Sequence, residues 1–479
     1  MTPVMATIPV PDAAAATESA TGTGVFRSSA AFPLPRLHPV ADFVALPAPK
    51  RYVTVQAKFG FALGAAALWL LAAIAGAWLV VPAMDATVPW PVAGVLFVLF
   101  VAVPGMLTAF SLMGLVLDRP PTPTVARPAL PVTVAITARN QPRSVVETLE
   151  ALRAQDYDGA LTVLLVDNGS TDATLDEASR AAARLGIALR IVVERKAGEA
   201  QARNAAAACT DTPLLVVIRA GAQLHPSAVR LLVARLLRSP ADTAGVSARA
   251  LVRNARGGDL AETVAYDYSV NVHAGQRMQG LFQGPLVADG VCALFRTDAV
   301  RAVGGWTRDD HDSVMITWRF LERGWRVFHE PLALAFTVES VTLGSWAARR
   351  VRAANAIVEG ARVKGLRSLH FPSNRFVAMT DATGPLVDGC FTGAALLALA
   401  LAVMGSGALV AAYLVLVVPV SVATVIVGRR VSRHALDDVG LRLPGGPRAW
   451  LGAGLSLHPV QAPLGAANAL AQVFGRVDD

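Results

Sequence analysis

Two stretches decide how this chain is read: Val132–Asn140, VTVAITARN, and Val163–Thr174, VLLVDNGSTDAT. Each begins as a short apolar, β-rich run and breaks into polar, turn-forming residues. That is the pattern of a buried strand handing its chain to a loop. Strand-like and helix-like pieces alternate around them. Ser144–Arg153 has helical spacing, a helix is expected from about Ala173 to Leu185, and Leu189–Val193 and Leu214–Ile218 repeat the strand theme. Such alternation argues for an α/β fold with an open, mostly parallel sheet and helices on both faces. In these sheets ligands bind outside the carboxyl ends of the strands, where Thr137, Arg139, Asn140 and Asp167 fall.

Four uncharged apolar runs bracket this stretch: Phe59–Met84, Val92–Leu117, Gly389–Met404 and Ala408–Val427. The first two are each long enough to cross about 30 Å of hydrocarbon, with Pro104 as a tolerated kink. Lys50, Arg51 and Lys58 precede the first pair, Arg119 and Arg127 follow it, and Arg429, Arg430 and Arg433 follow the second. Positive charge gathers on the cytoplasmic side, so both hairpins put residues 120–385 in the cytoplasm. The expected organisation is a disordered tail over 1–48, two transmembrane helices over 49–118 and a soluble domain over 119–385. A second helix pair over 386–428 and a C-terminal segment over 429–479 complete it. Within that last segment Ala449–Gly475 is uncharged and could be a fifth membrane or interfacial helix.

Composition agrees with this layout. Apolar residues make up 54% of the 479 and charged residues only 16%, against roughly 25% charged in an ordinary soluble domain. The net charge of +8 could suggest nucleic acid, but no zinc spacing or basic-aromatic array accompanies it, so nucleic acid is not an expected partner. Cys209, Cys292 and Cys390 are too few and too dispersed for a disulfide framework or a metal cluster.

VTVAITARN, then AQDYDGALTVLLVDNGSTD, then KAGEAQARN resemble a family-2 glycosyltransferase with a GT-A nucleotide-sugar domain. The resemblance runs on through GGWTRDDHDS, RFLERGWRV and HEP, about Val132 to Pro331. The flanking hairpins resemble those of the cellulose, hyaluronan and poly-N-acetylglucosamine synthase branch. By that resemblance Thr137, Arg139 and Asn140 line a nucleotide pocket and Asp167 contacts the base. Lys196, Arg203 and Asn204 match an element lying beside the nucleotide. Read without it, Asp167 is a turn cap, and Lys196 and Arg203 belong to a solvated helix face.

Three signatures of that family are altered. Its Asp-x-Asp holds a divalent metal against the sugar diphosphate, and hard cations need such oxygen ligands. Here LLVVIRAGAQLHP puts Arg219 and Gly221 at the two carboxylate positions, so magnesium or manganese is not expected there. Nearby His225 reads as a local hydrogen-bonding residue. The Thr-Glu-Asp signature becomes His311-Asp312-Ser313, leaving Asp312 or Asp310 as the candidate base. The Gln-x-x-Arg-Trp signature of processive synthases becomes Arg349, Arg352 and Ala353, so the acceptor platform is missing and a basic interfacial helix is expected. Trp306 is the tryptophan expected on the acceptor side.

The resemblance therefore implies a membrane-bound transferase with a nucleotide-sugar donor and a lipid-linked or cell-envelope glycan acceptor. Arg219 would neutralise the departing diphosphate in place of a metal. Protein partners in envelope biosynthesis are a further expectation. The alternative is an inactive nucleotide-binding or scaffold subunit of an envelope-glycan complex.

Overall fold

Strand β1, Val132–Ala138, is buried along its whole length, and the sheet grows outward from it. A computed structural model describes residues 37–40, 53–84, 87–119, 127–254, 259–284, 290–307, 312–338, 357–362 and 364–444. The other strands are β2 (Leu161–Asp167), β3 (Leu189–Val193), β4 (Leu214–Arg219), β5 (Gln223–Leu224), β6 (Thr243–Val252), β7 (Cys292–Arg296) and β8 (Arg326–Thr337). They form one eight-stranded sheet in the order β3-β2-β1-β4-β7-β6-β8-β5. Neighbours from β3 to β4 are parallel, β7 is antiparallel to both β4 and β6, β6 and β8 are parallel, and β5 is antiparallel to β8. The expected α/β sheet is present, with mixed pairing in its second half.

Alternation along the central strands explains the two-sided core. Val134 and Ile136 of β1, Leu165 of β2 and Val216 of β4 point to one face, where Val145 and Leu149 of the helix Pro142–Arg153 pack. Ala135, Leu164, Leu215 and Val217 point to the other, against Ala202 of the helix Glu199–Ala208 and Phe320 of the helix Asp312–Glu322. A period of two along each strand requires apolar residues at consecutive positions when both faces are covered.

Among the described residues three helices are long and apolar enough to cross a membrane: Val55–Ala83, Trp90–Leu117 and Ala408–Asp437. The pieces Pro372–Gly384 and Gly389–Val403 meet at 52° and raise the number to four if taken as one span. Leu79, Val403 and Val415 stand 79%, 83% and 71% exposed on these helices. Side chains of that kind call for an apolar solvent around them. The second helix contains a π-turn at Val98–Ala102, just before Pro104. The Ala102 carbonyl in this turn accepts the Trp69 indole N–H of the first helix at 3.1 Å.

That ring lies directly over Gly105, where a Cβ would fall among the Trp69 ring atoms. A Gly105→Val protein is expected to lose about 1–3 kcal/mol through overpacking, measured as a lower melting temperature of the detergent-purified chain. An unchanged melt would mean the hairpin is not held by this contact.

Two expectations need amendment. Within the expected tail the described residues 37–40 are docked on the domain: Val40 donates its backbone N–H to Ser227 Oγ at 2.8 Å and accepts from Arg230 Nη2 at 2.6 Å. Arg230 is in turn paired with Asp156 at 3.1 Å, so the segment is gripped by a buried polar cluster. Secondly, two helices unforeseen in the sequence, Asp259–Asp267 and His273–Phe282 joined by a π-turn, lie between the sheet and the apolar helices. Met278 and Phe282 rest against Gly114 of the second apolar helix. The basic stretch around Arg349 and the run Ala449–Gly475 lie outside the described residues.

Candidate active site

The carboxyl ends of β1, β2 and β4 lie side by side, with Ala138 in register with Asp167 and Thr137 with Arg219. Pairing alone thus brings the first two motifs and the altered metal position to one edge. After β1 the backbone turns through Asn140 at φ 52°, a left-handed conformation that asparagine tolerates because its side chain bonds locally. The Asn140 N–H donates to Ser170 Oγ at 3.0 Å, and its Oδ1 accepts from the Thr171 N–H at 2.8 Å. Asn140 and the turn after Asp167 are therefore one unit. Gly169 completes that turn at φ 74° with open space where a side chain would stand.

Asp167 is 2% exposed. Its Oδ2 accepts from the Ser170 N–H at 3.1 Å, while its Oδ1 has no protein partner. Thus one oxygen caps the turn, and the other is enclosed and receives no hydrogen bond from the protein. Thr137 is buried, and its carbonyl accepts from Ala220 N–H at 3.0 Å; Arg139 is exposed.

The loop before the helix Glu199–Ala208 is braced by a residue the sequence reading passed over. Asn168 Nδ2 donates to the Lys196 carbonyl at 2.8 Å, and its Oδ1 accepts from the Gly198 N–H at 2.8 Å. Lys196 itself is exposed on that loop. Arg203 is 1% exposed and so does not belong to a solvated face. Its Nη2 donates to Glu199 Oε1 at 2.5 Å, and Arg219 Nη2 reaches the same oxygen at 3.4 Å. Burial alone would raise the Glu199 carboxyl, but the two arginines outweigh it and hold the group below its ordinary range. Glu199, also missed, joins the third motif to the end of β4. In sequence it reads only as an acidic residue in a first helical turn, a common match to the helix dipole.

Asn204 is engaged elsewhere. Its Nδ2 donates to the Trp306 carbonyl and its Oδ1 accepts from the Trp306 N–H, both at 2.8 Å. The amide pins the Gly304-Gly305 turn, where a Cβ on Gly305 would collide with Asn204 Oδ1. Asn204→Ala removes two hydrogen bonds and is expected to cost about 1–3 kcal/mol. A drop in melting temperature checks this, and a melt equal to wild type would deny Asn204 its bracing role. Trp306 corrects an expectation: it is 3% exposed and set edge-on to Phe295 with centroids 5.7 Å apart. Its ring belongs to the core, not to an open acceptor platform.

Asp312 is the first residue of the helix Asp312–Glu322. Its side chain, and the whole of Asp310, lie outside the described residues.

The metal position is occupied by Arg219, Ala220 and Gly221. Gly221, at φ 90°, donates its N–H to Thr148 Oγ1 at 2.9 Å, which locks the backbone there. A guanidinium and a glycine do not fit a hard divalent cation. Among the described residues no three His, Cys, Asp or Glu side chains converge as ligands. His225 is buried with Nδ1 accepting from the Ser227 N–H at 3.2 Å. Burial, then Arg230, pulls its imidazole down to about 4, so it is neutral at physiological pH. A hollow of about 760 Å³ lined by Leu130, Pro213, Leu236 and Arg296 opens at the amino ends of β4 and β6. It lies at the opposite edge of the sheet from Asp167.

Comparison with known proteins bears on the fold of this region. The poly-beta-1,6-N-acetyl-D-glucosamine synthase of Staphylococcus aureus (strain COL) is 22% identical over 222 residues, 46% of this chain and 53% of that protein. The chain therefore spans about half the length of the curated relatives it matches. The solved mannosyltransferase PcManGT from Pyrobaculum calidifontis, in complex with GDP-Man and Mn2+, superposes with a TM-score of 0.50 at 21% identity. That match covers 76% of this chain and 99% of the other. Such coverage exceeds what Val132–Thr337 alone could supply, so the likeness in fold takes in flanking helices. The model of Glycosyl transferase family 2 matches residues 133–304, and that part of the chain is a family-2 glycosyltransferase domain of GT-A fold.

Proposed function

We propose that the protein transfers a sugar from a nucleotide-sugar donor to a lipid-linked or cell-envelope glycan acceptor at the inner face of a plasma membrane. The observation that supports this most is the edge formed by Asn140, Asp167 and Arg219, where a partnerless carboxylate oxygen and a half-exposed guanidinium stand at neighbouring strand ends. In this reading the base and ribose lie along the turn from Asp167, and the diphosphate meets Arg219. Lys196 adds a second positive charge from the loop that Asn168 braces.

The reaction is a direct displacement with inversion. An acceptor hydroxyl attacks the anomeric carbon, the bond from that carbon to the diphosphate oxygen breaks, and the nucleoside diphosphate departs. The hydroxyl proton passes to a carboxylate, for which Asp312 and Asp310 are the candidates. Arg219 stabilises negative charge developing on the leaving group, a role that elsewhere falls to a cation of some kind. Its planar fork suits phosphate oxygens bidentately. Transfer by this route needs no divalent metal. The apolar helices hold the domain against the bilayer, and envelope-biosynthesis proteins are its proposed neighbours there.

A second reading rests on the lost carboxylates at 219 and 221: a subunit that binds nucleotide but no longer transfers sugar. One experiment separates the two. The full chain in lipid is screened with UDP- and GDP-sugars, with and without EDTA, and both nucleoside diphosphate release and glycan labelling are followed. Transfer that survives EDTA supports the proposal. Nucleotide binding by calorimetry with no transfer from any donor supports the scaffold. Turnover abolished by EDTA and restored by manganese removes Arg219 from its role.

A further inference from the structure

A second polar cluster is enclosed between the sheet and the apolar helices. At its centre is Arg249, which leaves β6 where the pairing with β8 jumps from Ala248–Glu330 to Arg249–Leu334. Arg249 is 0% exposed. Its Nη2 donates to the Ser269 carbonyl at 2.8 Å, and the same carbonyl accepts from Ser432 Oγ of the helix Ala408–Asp437 at 2.8 Å. Its Nε and Nη1 are enclosed and meet no protein acceptor.

Two buried imidazoles lie alongside, His273 and His329, joined Nδ1 to Nε2 at 3.2 Å. Arg277 is also close, but its charge is taken by Asp118 at the end of the second apolar helix, Nε to Oδ2 at 2.5 Å. Further along, Arg235 stacks on Phe328 at 5.0 Å and is opposed by Glu330. Among the described residues these three guanidiniums are opposed by Asp118 and Glu330, and both carboxylates stand at the Arg235 and Arg277 end. The charge acting most on Arg249 is another cation, Arg277. Burial, then the surrounding arginines, keeps both imidazoles neutral. An enclosed guanidinium with donors directed at no acceptor is strongly unfavourable unless an anion completes it.

We propose that Arg249, together with His273 and His329, binds one small anion of the size and charge of chloride or dihydrogen phosphate at the junction of the sheet and the apolar helices. Complete enclosure of Arg249 limits the occupant to a small ion rather than a lipid headgroup. The ion balances the third guanidinium and ties β6 to the helix His273–Phe282 and, through Ser269 and Ser432, to the second hairpin. The site is separate from the nucleotide edge and does not depend on the activity assigned above.

The test is thermal unfolding of the detergent-purified full chain at constant ionic strength, replacing gluconate by chloride in one series and by phosphate in another. The expected result is a melting temperature that rises by a few degrees and then saturates in at least one series, since binding to the folded state stabilises by mass action. In Arg249→Met the saturable part disappears and only the shallow general salt effect remains. A response in wild type that never saturates, or an identical saturable response in Arg249→Met, overturns the proposal. If Arg249→Met does not fold, His329→Gln takes its place, and an unchanged saturable response in that variant overturns the proposal in the same way. Stabilisation seen only with a phosphate-monoester lipid in the micelle also overturns it, because the occupant would then not be a free ion.

Discussion

Replacing Arg219 with alanine is expected to lower kcat/KM about 10²–10³-fold, the range found when a preorganised charge-stabilising donor is removed. The melting temperature should hardly change, because the Arg219 side chain is 49% exposed and its pairing with Glu199 is long, at 3.4 Å. Exposed ion pairs of that kind contribute about 0–1 kcal/mol. Arg219→Lys should recover only part of the rate, since an ammonium keeps the charge and loses the planar fork. Steady-state kinetics in the presence of EDTA measure all three proteins under the same conditions. Wild-type turnover in Arg219→Ala would place the diphosphate elsewhere.

The second large effect is expected at Asp167. Asparagine there keeps an oxygen for the Ser170 N–H but removes the charge and one acceptor site. Hydrogen bonds to charged groups are worth about 1.5–3 kcal/mol, so nucleotide affinity should fall roughly 10–100-fold, read by calorimetry with UDP and with GDP. Stability should be retained, because Oδ2 alone does the capping. Asp167→Ala loses the cap as well, and its melting temperature should fall along with its affinity. An unchanged Kd in Asp167→Asn would mean that the partnerless oxygen faces no ligand.

How far such sites can be read from sequence depends on how far away their partners are. The strands ending in Ala138, Asp167 and Arg219 were legible because burial on both faces leaves continuous apolar runs, and turn residues mark where they stop. That Asn140 and Asp167 fall at the carboxyl edge of the sheet was legible for the same reason. Asn204 was not: an asparagine inside a helix gives no sign that its amide grips a backbone turn 102 positions later. Trp306 misled because a tryptophan beside two glycines suits either a binding platform or a core plug, and only the position of Phe295 decides. Glu199 was hidden since its meaning lies in being shared by Arg203 and Arg219, residues on different elements. The helices between Asp259 and Phe282 escaped because their partners include the apolar helices themselves.

The grip on Val40 has a mechanical side. The first apolar helix starts at Val55, so the chain between these points can stretch to no more than about 50 Å. Arg277 and Asp118 moor the helix His273–Phe282 to the second apolar helix through a bond of 2.5 Å. Held to the first apolar helix by the short chain beyond Val40 and to the second through Asp118, the domain is limited in how far it can separate from either helix.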